Sequence, residues 1–226
     1  MNDQPALRVG GYALLIGGVG AIVVNVLHPR PPERTEELLT LVASVPHWRM
    51  LHYLAALATV LIVSGFALLV RTLHDPAARA LGEAGKYVTM LGAAAFIVAI
   101  VVDGHGYPLF AARWLAAAGG DRAAVLLAAS AVQAVDVALF PVWSAVFLGL
   151  GPLLLAAALL RSADQPRLLT VFGIAGAAMC LVYGLGAAAG VRVPLPLWPL
   201  GPAVVTLWIT ALGARLLRRG PVTARR

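Results

Sequence analysis

Two aspartates stand in otherwise apolar parts of this chain and are the first candidates for chemistry. Asp103 follows a long apolar run, and Asp136 is the only charged residue between Arg122 and Arg161. Ionisable side chains at membrane depth are costly and usually face the interior of a helix bundle. Apolar surroundings favour the neutral form of a carboxyl group, which can then act as an acid. With His105 as a proton relay, we predict that Asp103, Asp136 and His105 are catalytic.

A further set of polar and aromatic residues is expected at the same depth as the two aspartates. At the 1.5 Å rise per residue of an α-helix, His52 lies about 28 Å from Arg71. On the same basis Asp103 lies about 25 Å from Lys86, near one end of a span whose apolar core is about 30 Å thick. The residues predicted to bind substrate in this layer are Asn25, His52, Tyr107, Gln133, Phe140, Trp143, Tyr183 and Trp198. The alternative is that these side chains only meet headgroups and water.

Three histidines allow a different chemistry at the same end of the protein. They are His28, His52 and His105. Their imidazoles can converge with the carboxylate of Asp103, and both groups are ligands for zinc, copper and iron. No two of the histidines stand at i, i+4 spacing on one helix, so their spacing alone does not bring them together. We therefore predict no cofactor, and a metal or haem site is the alternative.

The composition predicts that lipid surrounds these residues. Of the 226 residues, 61% are hydrophobic and only 12% are charged, whereas about a quarter of the residues in a soluble domain are charged. The formal net charge is +7. The basic residues stand singly at the ends of apolar runs instead of forming a patch, so nucleic acid is not an expected partner. The sequence contains no P-loop, H-E-x-x-H or G-x-S-x-G motif.

Six apolar runs are long enough to cross a membrane as helices, which need about 20 residues each. We predict an all-α integral membrane protein with one domain, residues 1–226. The predicted spans cover about residues 9–27, 50–70, 87–104, 136–160, 168–189 and 197–217. The fourth span is interpreted as the end of one kinked helix that begins outside the bilayer at Asp121 and enters it near Pro141. A short surface helix is expected near Thr35, and a second over Pro108–Ala118.

The distribution of basic residues predicts the orientation of the bundle. With the N-terminus inside and six spans, 11 of the 17 lysines and arginines lie in inner segments and 6 in outer segments. This bias agrees with the positive-inside rule and predicts that both termini are cytoplasmic. The predicted location is a bacterial inner membrane, with the lipid bilayer and a lipophilic small molecule as partners. The sequence does not indicate an oligomeric state.

The whole-chain pattern resembles small bacterial polytopic membrane families of unknown function. The resemblance rests on Arg8-x-Gly10-Gly11-Tyr12 at the first span, and on Leu160-Arg161-Ser162 and Pro166-Arg167 at an inner turn. It rests also on Leu216-Leu217-Arg218-Arg219-Gly220 at the end of the last span. The resemblance implies a six-helix membrane fold and no particular activity.

In size and all-helical character the chain is also similar to the small membrane-bound terpene cyclases of meroterpenoid pathways. Those enzymes protonate an alkene or epoxide of a prenyl chain with a carboxylic acid. The similarity implies that Asp103 and Asp136 are the acids, and it concerns the chemistry only, since no motif of that family is present. The rings that would stabilise a carbocation are Tyr107, Phe140, Trp143 and Tyr183.

These observations lead to three functional hypotheses. The leading one is a membrane-embedded cyclase or isomerase that acts on an isoprenoid or prenylated substrate by acid–base chemistry, in a pocket that excludes water. The second is a metal- or haem-binding membrane protein. The third is a transporter or a non-catalytic bundle, although no repeat typical of transporters is visible.

Overall fold

The protein is built from helices throughout the part that the structure describes. The computed structural model describes residues 4–162, 165–191 and 197–218, without the side chains of residues 197 and 198. The α-helices are α1 Gln4–Leu27, α2 Thr35–Ser44, α3 Trp48–Val70, α4 Pro76–Val101, α5 Tyr107–Ala116, α6 Gly119–Trp143, α7 Gly151–Ser162, α8 Arg167–Ala188 and α9 Leu197–Arg218. Two π-helical segments, Val102–Gly106 and Ser144–Leu150, join α4 to α5 and α6 to α7. No strand occurs in these residues, which confirms the all-α prediction.

Six of the helical segments are long and apolar enough to cross a membrane, which confirms the predicted multi-pass membrane protein. They cover Gln4–Leu27, Trp48–Val70, Pro76–Ala116, Gly119–Ser162, Arg167–Ala188 and Pro199–Arg218. The third and fourth contain 41 and 44 residues. At 1.5 Å per residue their contour lengths are about 62 and about 66 Å, roughly twice the thickness of the hydrocarbon core. Each of these two is therefore longer than a single crossing needs.

The two longest segments differ in detail from the predicted spans. The third begins at Pro76, before the predicted start at residue 87, because Asp75 caps it by accepting a hydrogen bond from the Ala78 N–H at 2.6 Å. The long helix of the fourth span was predicted to begin at Asp121, but it begins at Gly119, so Asp121 lies in its first turn. This helix contains Pro141. A proline inside a helix lacks a backbone N–H, and the π segment starts three residues after it. Near Pro141, where a kink was expected, the helix therefore changes from α to π geometry and continues.

The spans pack through two hydrophobic clusters. Along the bundle, α1 packs against α3 and α9, α4 against α7, and α8 against α9. One cluster in this region includes Leu14, Phe66 and Trp208. The second cluster joins α2, the start of α3, α5 and the first half of α6, and it includes Trp48 and Tyr107. The second cluster lies where α1 ends and α3 begins, which we call the site end of the bundle.

The surface helix α2 is fixed at the site end by a side chain of α6. The short helix expected near Thr35 is present, but the Thr35 side chain does not cap it. Its hydroxyl instead donates to Gln133 Oε1 at 2.5 Å, and Gln133 Nε2 donates to the carbonyl of Glu33 at 3.2 Å. These two bonds hold the connection between α1 and α2 against α6.

Cysteine labelling can test the orientation of the bundle. The only cysteine of the sequence, Cys180, is buried, so an introduced cysteine would be the accessible thiol. In a Cys180→Ala background, Glu36→Cys on α2 should react with a membrane-impermeant maleimide on intact cells. His74→Cys, between α3 and α4, should react only after lysis, since the positive-inside rule puts that turn in the cytoplasm. Both native residues are exposed. The reverse pattern of labelling would contradict the predicted cytoplasmic termini.

Candidate functional site

Three elements bring two imidazoles and a carboxylate together at the site end. His28 directly follows α1, His52 lies in the second turn of α3, and Asp103 lies in the π segment after α4. The Nε2 atom of His52 is 3.1 Å from Asp103 Oδ2 and 3.3 Å from His28 Nε2. His28 Nε2 is 3.8 Å from the same carboxylate oxygen. We call these three residues the triad.

Backbone carbonyls determine which nitrogen of each ring faces the carboxylate. His28 Nδ1 lies 2.7 Å from the carbonyl oxygen of Pro29, and His52 Nδ1 lies 2.7 Å from that of Trp48. A carbonyl oxygen can only accept a hydrogen bond, so this pairing assigns the N–H to Nδ1 in both rings. In two neutral rings the lone pairs of Nε2 would then face each other and the carboxylate. A proton or a cation between them removes this repulsion.

The π segment gives Asp103 its position and leaves room for His52. Segments with π geometry often occur at functional sites, because they change the face on which a side chain projects. Gly104 packs directly on His52, and a Cβ at Gly104 would overlap the Cβ and Cγ of that histidine. The indole of Trp48 donates from Nε1 to the carbonyl oxygen of Asp103 at 2.9 Å. Its ring centroid lies 5.0 Å from that of His28 and 5.2 Å from that of His52.

Burial affects both His28 and Asp103 of the triad. Burial lowers the pKa of the His28 imidazole, and the charge of His52 adds to this effect, while the Asp103 carboxylate opposes it. The second carboxylate oxygen of Asp103, Oδ1, is buried and has no hydrogen-bond partner among the described residues. An anion with so few donors favours a bound positive charge nearby.

A cavity of about 470 Å³ adjoins the triad through Asp103. Its walls are Pro31, Pro32, Glu33, Leu38, Asp103, Tyr107, Gln133, Asp136 and Val137. The hydroxyl of Tyr107 donates to Asp136 Oδ2 at 3.2 Å. Of the residues predicted from the sequence, the structure thus brings Asp103, Tyr107, Gln133 and Asp136 to one cavity, beside His28 and His52.

His105 and Asn25 are among the predicted site residues that lie apart from this cavity. The ring of His105 packs edge-on against Tyr53, with 5.0 Å between the centroids, and His105 is not a member of the triad. Residues two apart on a helix project on different faces, so Asp103 and His105 meet different neighbours. Asn25 is exposed, and its Nδ2 donates to the carbonyl of Ala21 in its own helix at 2.8 Å.

The predicted aromatic residues form a separate cluster. Phe140 contacts Trp143 and Tyr183, with centroid distances of 4.9 and 5.9 Å. Trp143 also packs on Phe96 at 4.6 Å. None of these rings is among the residues that line the cavity. The side chain of Trp198 lies outside the described residues.

No protein-family model, curated protein or solved structure matches this chain. The two family resemblances found in the sequence therefore stay predictions.

Sequence reasoning missed the two residues that position the triad. Trp48 was not predicted to be part of the site, although it stands four residues before His52 and so shares its helix face. Gly104 had no signal of its own, because its role depends on the close approach of α3 to the π segment. The sequence also gave no sign that Pro31 and Pro32 would line a cavity beside α6.

Substitution of Gly104 tests the close packing on His52. Gly104→Ala is expected to lower the free energy of unfolding by about 1–3 kcal/mol, because the added methyl group overlaps His52. Gly106→Ala is the matched control in the same π segment, since no atom lies within 4 Å of its added Cβ. Unfolding by SDS in mixed micelles, followed by circular dichroism, compares the two variants. Equal stability would contradict the packing described here.

Proposed function

We propose that this chain is a membrane-embedded metalloprotein that binds one divalent transition-metal ion at the triad. The observation that carries the proposal is the convergence of His28 Nε2, His52 Nε2 and an Asp103 carboxylate oxygen, all within 4.8 Å of one another. Three ligand atoms of these types, from three separate elements, converge on a single point. Two imidazoles and one carboxylate form a recognised ligand set for zinc and for non-haem iron.

The distances in the triad suit coordination. Zinc binds imidazole nitrogen and carboxylate oxygen at about 2.0–2.2 Å, so two ligands of a tetrahedral ion are about 3.3 Å apart. The separations of 3.1 and 3.3 Å from His52 Nε2 are already of this size. The third separation, 3.8 Å between His28 Nε2 and Asp103 Oδ2, needs only a small rotation of one ring.

The second nitrogen of each ring supports the same proposal. Histidines that bind metals usually donate their other N–H to a carboxylate or a backbone carbonyl, which fixes the tautomer and the ring plane. Pro29 and Trp48 supply those carbonyls here. Three ligands around one point favour a single ion over haem, because a haem iron offers only its two axial positions to the protein.

Metal titration tests this function. Purified protein, stripped with a chelator, should bind one Zn²⁺ or Co²⁺ per chain by calorimetry and by elemental analysis after dialysis. His28→Ala and His52→Ala should each weaken binding by roughly 100-fold or more. Loss of a group that only hydrogen-bonds a metal ligand already weakens binding by about 10–100-fold. His105→Ala is the matched control, because this histidine packs on Tyr53 and does not belong to the triad.

The outcomes of the titration are distinct. Unchanged binding in His105→Ala with loss in the other two variants supports the triad. Equal losses in all three would favour the ligand set predicted from the sequence, His28, His52 and His105. Absence of specific binding in the wild-type protein would contradict the metalloprotein proposal.

Acid–base chemistry on a prenylated substrate is a second candidate function. The observation that favours it is that Asp103 and Asp136 line the same cavity, where Tyr107 donates to Asp136. In this case chelator-treated membranes should convert a farnesyl- or geranylgeranyl-bearing compound to an isomer, detected by mass spectrometry. Asp136→Asn should abolish the conversion at equal expression. Conversion that requires added metal would contradict this candidate.

The proposed location follows from the charge bias. We propose that the protein lies in a bacterial inner membrane with both termini in the cytoplasm, so that the triad faces the opposite side. The site end would then receive metal ions from the periplasmic water.

A further inference from the structure

The cavity beside the triad contains a second carboxylate that coordination does not use. Asp136 Oδ2 accepts a hydrogen bond from the Tyr107 hydroxyl at 3.2 Å. Its other oxygen, Oδ1, has no hydrogen-bond partner among the described residues and is not a buried atom. This oxygen can therefore accept a proton from a water molecule in the cavity. Asp103 lines the cavity as well, whereas His28 and His52 do not, so the proposed metal site adjoins the space in front of Asp136 through the Asp103 carboxylate.

The charges of the cavity limit what can enter it. Three of its lining residues are acidic, Glu33, Asp103 and Asp136, and none is basic. Phosphate and sulfate groups are usually held by arginine, lysine or helix N-termini. A neutral polar group, such as an ester, fits this lining better than an anionic one. The volume, about 470 Å³, lies within the usual range of roughly 300–1,000 Å³ for small-molecule sites.

The cavity reaches the protein surface on the side of α6. Val137, next to Asp136, lines the cavity and is 63% exposed, and the lining residue Pro31 is exposed as well. Four lining residues are apolar: Pro31, Pro32, Leu38 and Val137. The polar lining residues include Asp103 of the triad. The site end also lies about one membrane thickness from the charges of the other end, since His52 is about 28 Å from Arg71. A molecule with an apolar chain and a polar head at the headgroup level matches both features.

From this arrangement we infer that the protein is a metal-dependent esterase of lipid-soluble esters, with Asp136 as the general base. The inference rests on the proposed metal function. His28, His52 and Asp103 hold the ion and leave at least one position for water. Asp136 Oδ1 removes a proton from that water, and Tyr107 positions Asp136 through Oδ2.

The reaction balances with water as its only co-reactant. The oxygen of the activated water forms a bond to the ester carbonyl carbon. The bond between that carbon and the alkoxy oxygen then breaks, and Asp136 returns its proton to the leaving alkoxide. The products are a carboxylic acid and an alcohol. No oxidation or reduction takes place, so zinc is a sufficient metal.

The test compares hydrolysis and metal content in the same preparations. Zinc-loaded wild-type protein in detergent micelles should hydrolyse p-nitrophenyl octanoate, with a kcat/KM at least tenfold higher than for p-nitrophenyl acetate. Asp136→Asn should lower kcat by about 10²–10⁴-fold, the usual contribution of a general base, while it keeps one zinc per chain. Asp121→Asn, the same substitution at an exposed position of α6, is the control and should keep the wild-type rate. Retained zinc shows that each variant is folded at the triad.

The two proposals fail in different ways. Zinc binding without hydrolysis of either ester, or with equal rates in wild type and Asp136→Asn, overturns the esterase inference and leaves the metal site intact. Equal kcat/KM for the two esters overturns the assignment of a lipid-soluble substrate. Absence of zinc binding overturns the proposed function, and the esterase inference with it.

Discussion

The carboxylate of Asp103 is the charge on which the site end of this bundle depends. It follows an apolar helix, in surroundings where a lone anion is strongly disfavoured. His28 and His52 approach one of its oxygens, and Trp48 binds its backbone carbonyl. Because both imidazoles direct Nε2 toward the carboxylate, a positive charge between them is needed. A proton satisfies two of these groups at a time, whereas a metal ion satisfies all three.

The rest of the fold holds these groups at the same position along the bundle axis. Two helical segments are about twice as long as the hydrocarbon core is thick, and α2 packs against α5 and α6, which belong to them. The second hydrophobic cluster therefore lies directly around the triad and contains Trp48 and Tyr107, each at most 2% exposed. Both residues donate a hydrogen bond to the site. Trp48 donates to the carbonyl oxygen of Asp103, and Tyr107 donates to the carboxylate of Asp136. Packing and site geometry are coupled through these two side chains.

The sequence predicted the fold and the height of the site, but not which residues meet. Apolar run lengths identified six spans, and the constant rise of a helix put His52 and Asp103 at the same depth. Depth alone does not determine which residues meet, because residues two apart on a helix project on different faces. His105 was expected to act with Asp103 because both lie at the same depth, and it instead contacts Tyr53. The contacts of Gly104 and of the α1–α2 connection depend on tertiary packing, which has no local signal.

The most direct test of the proposed metal site is X-ray absorption at the zinc edge on the zinc-loaded protein. Two imidazoles and carboxylate or water oxygens predict a shell of nitrogen and oxygen at about 2.0–2.1 Å, with outer-shell scattering from two rings. His52→Ala should reduce that outer-shell signal to one ring. A spectrum without imidazole scattering, or with sulfur at about 2.3 Å, would contradict the account, because no cysteine belongs to the triad.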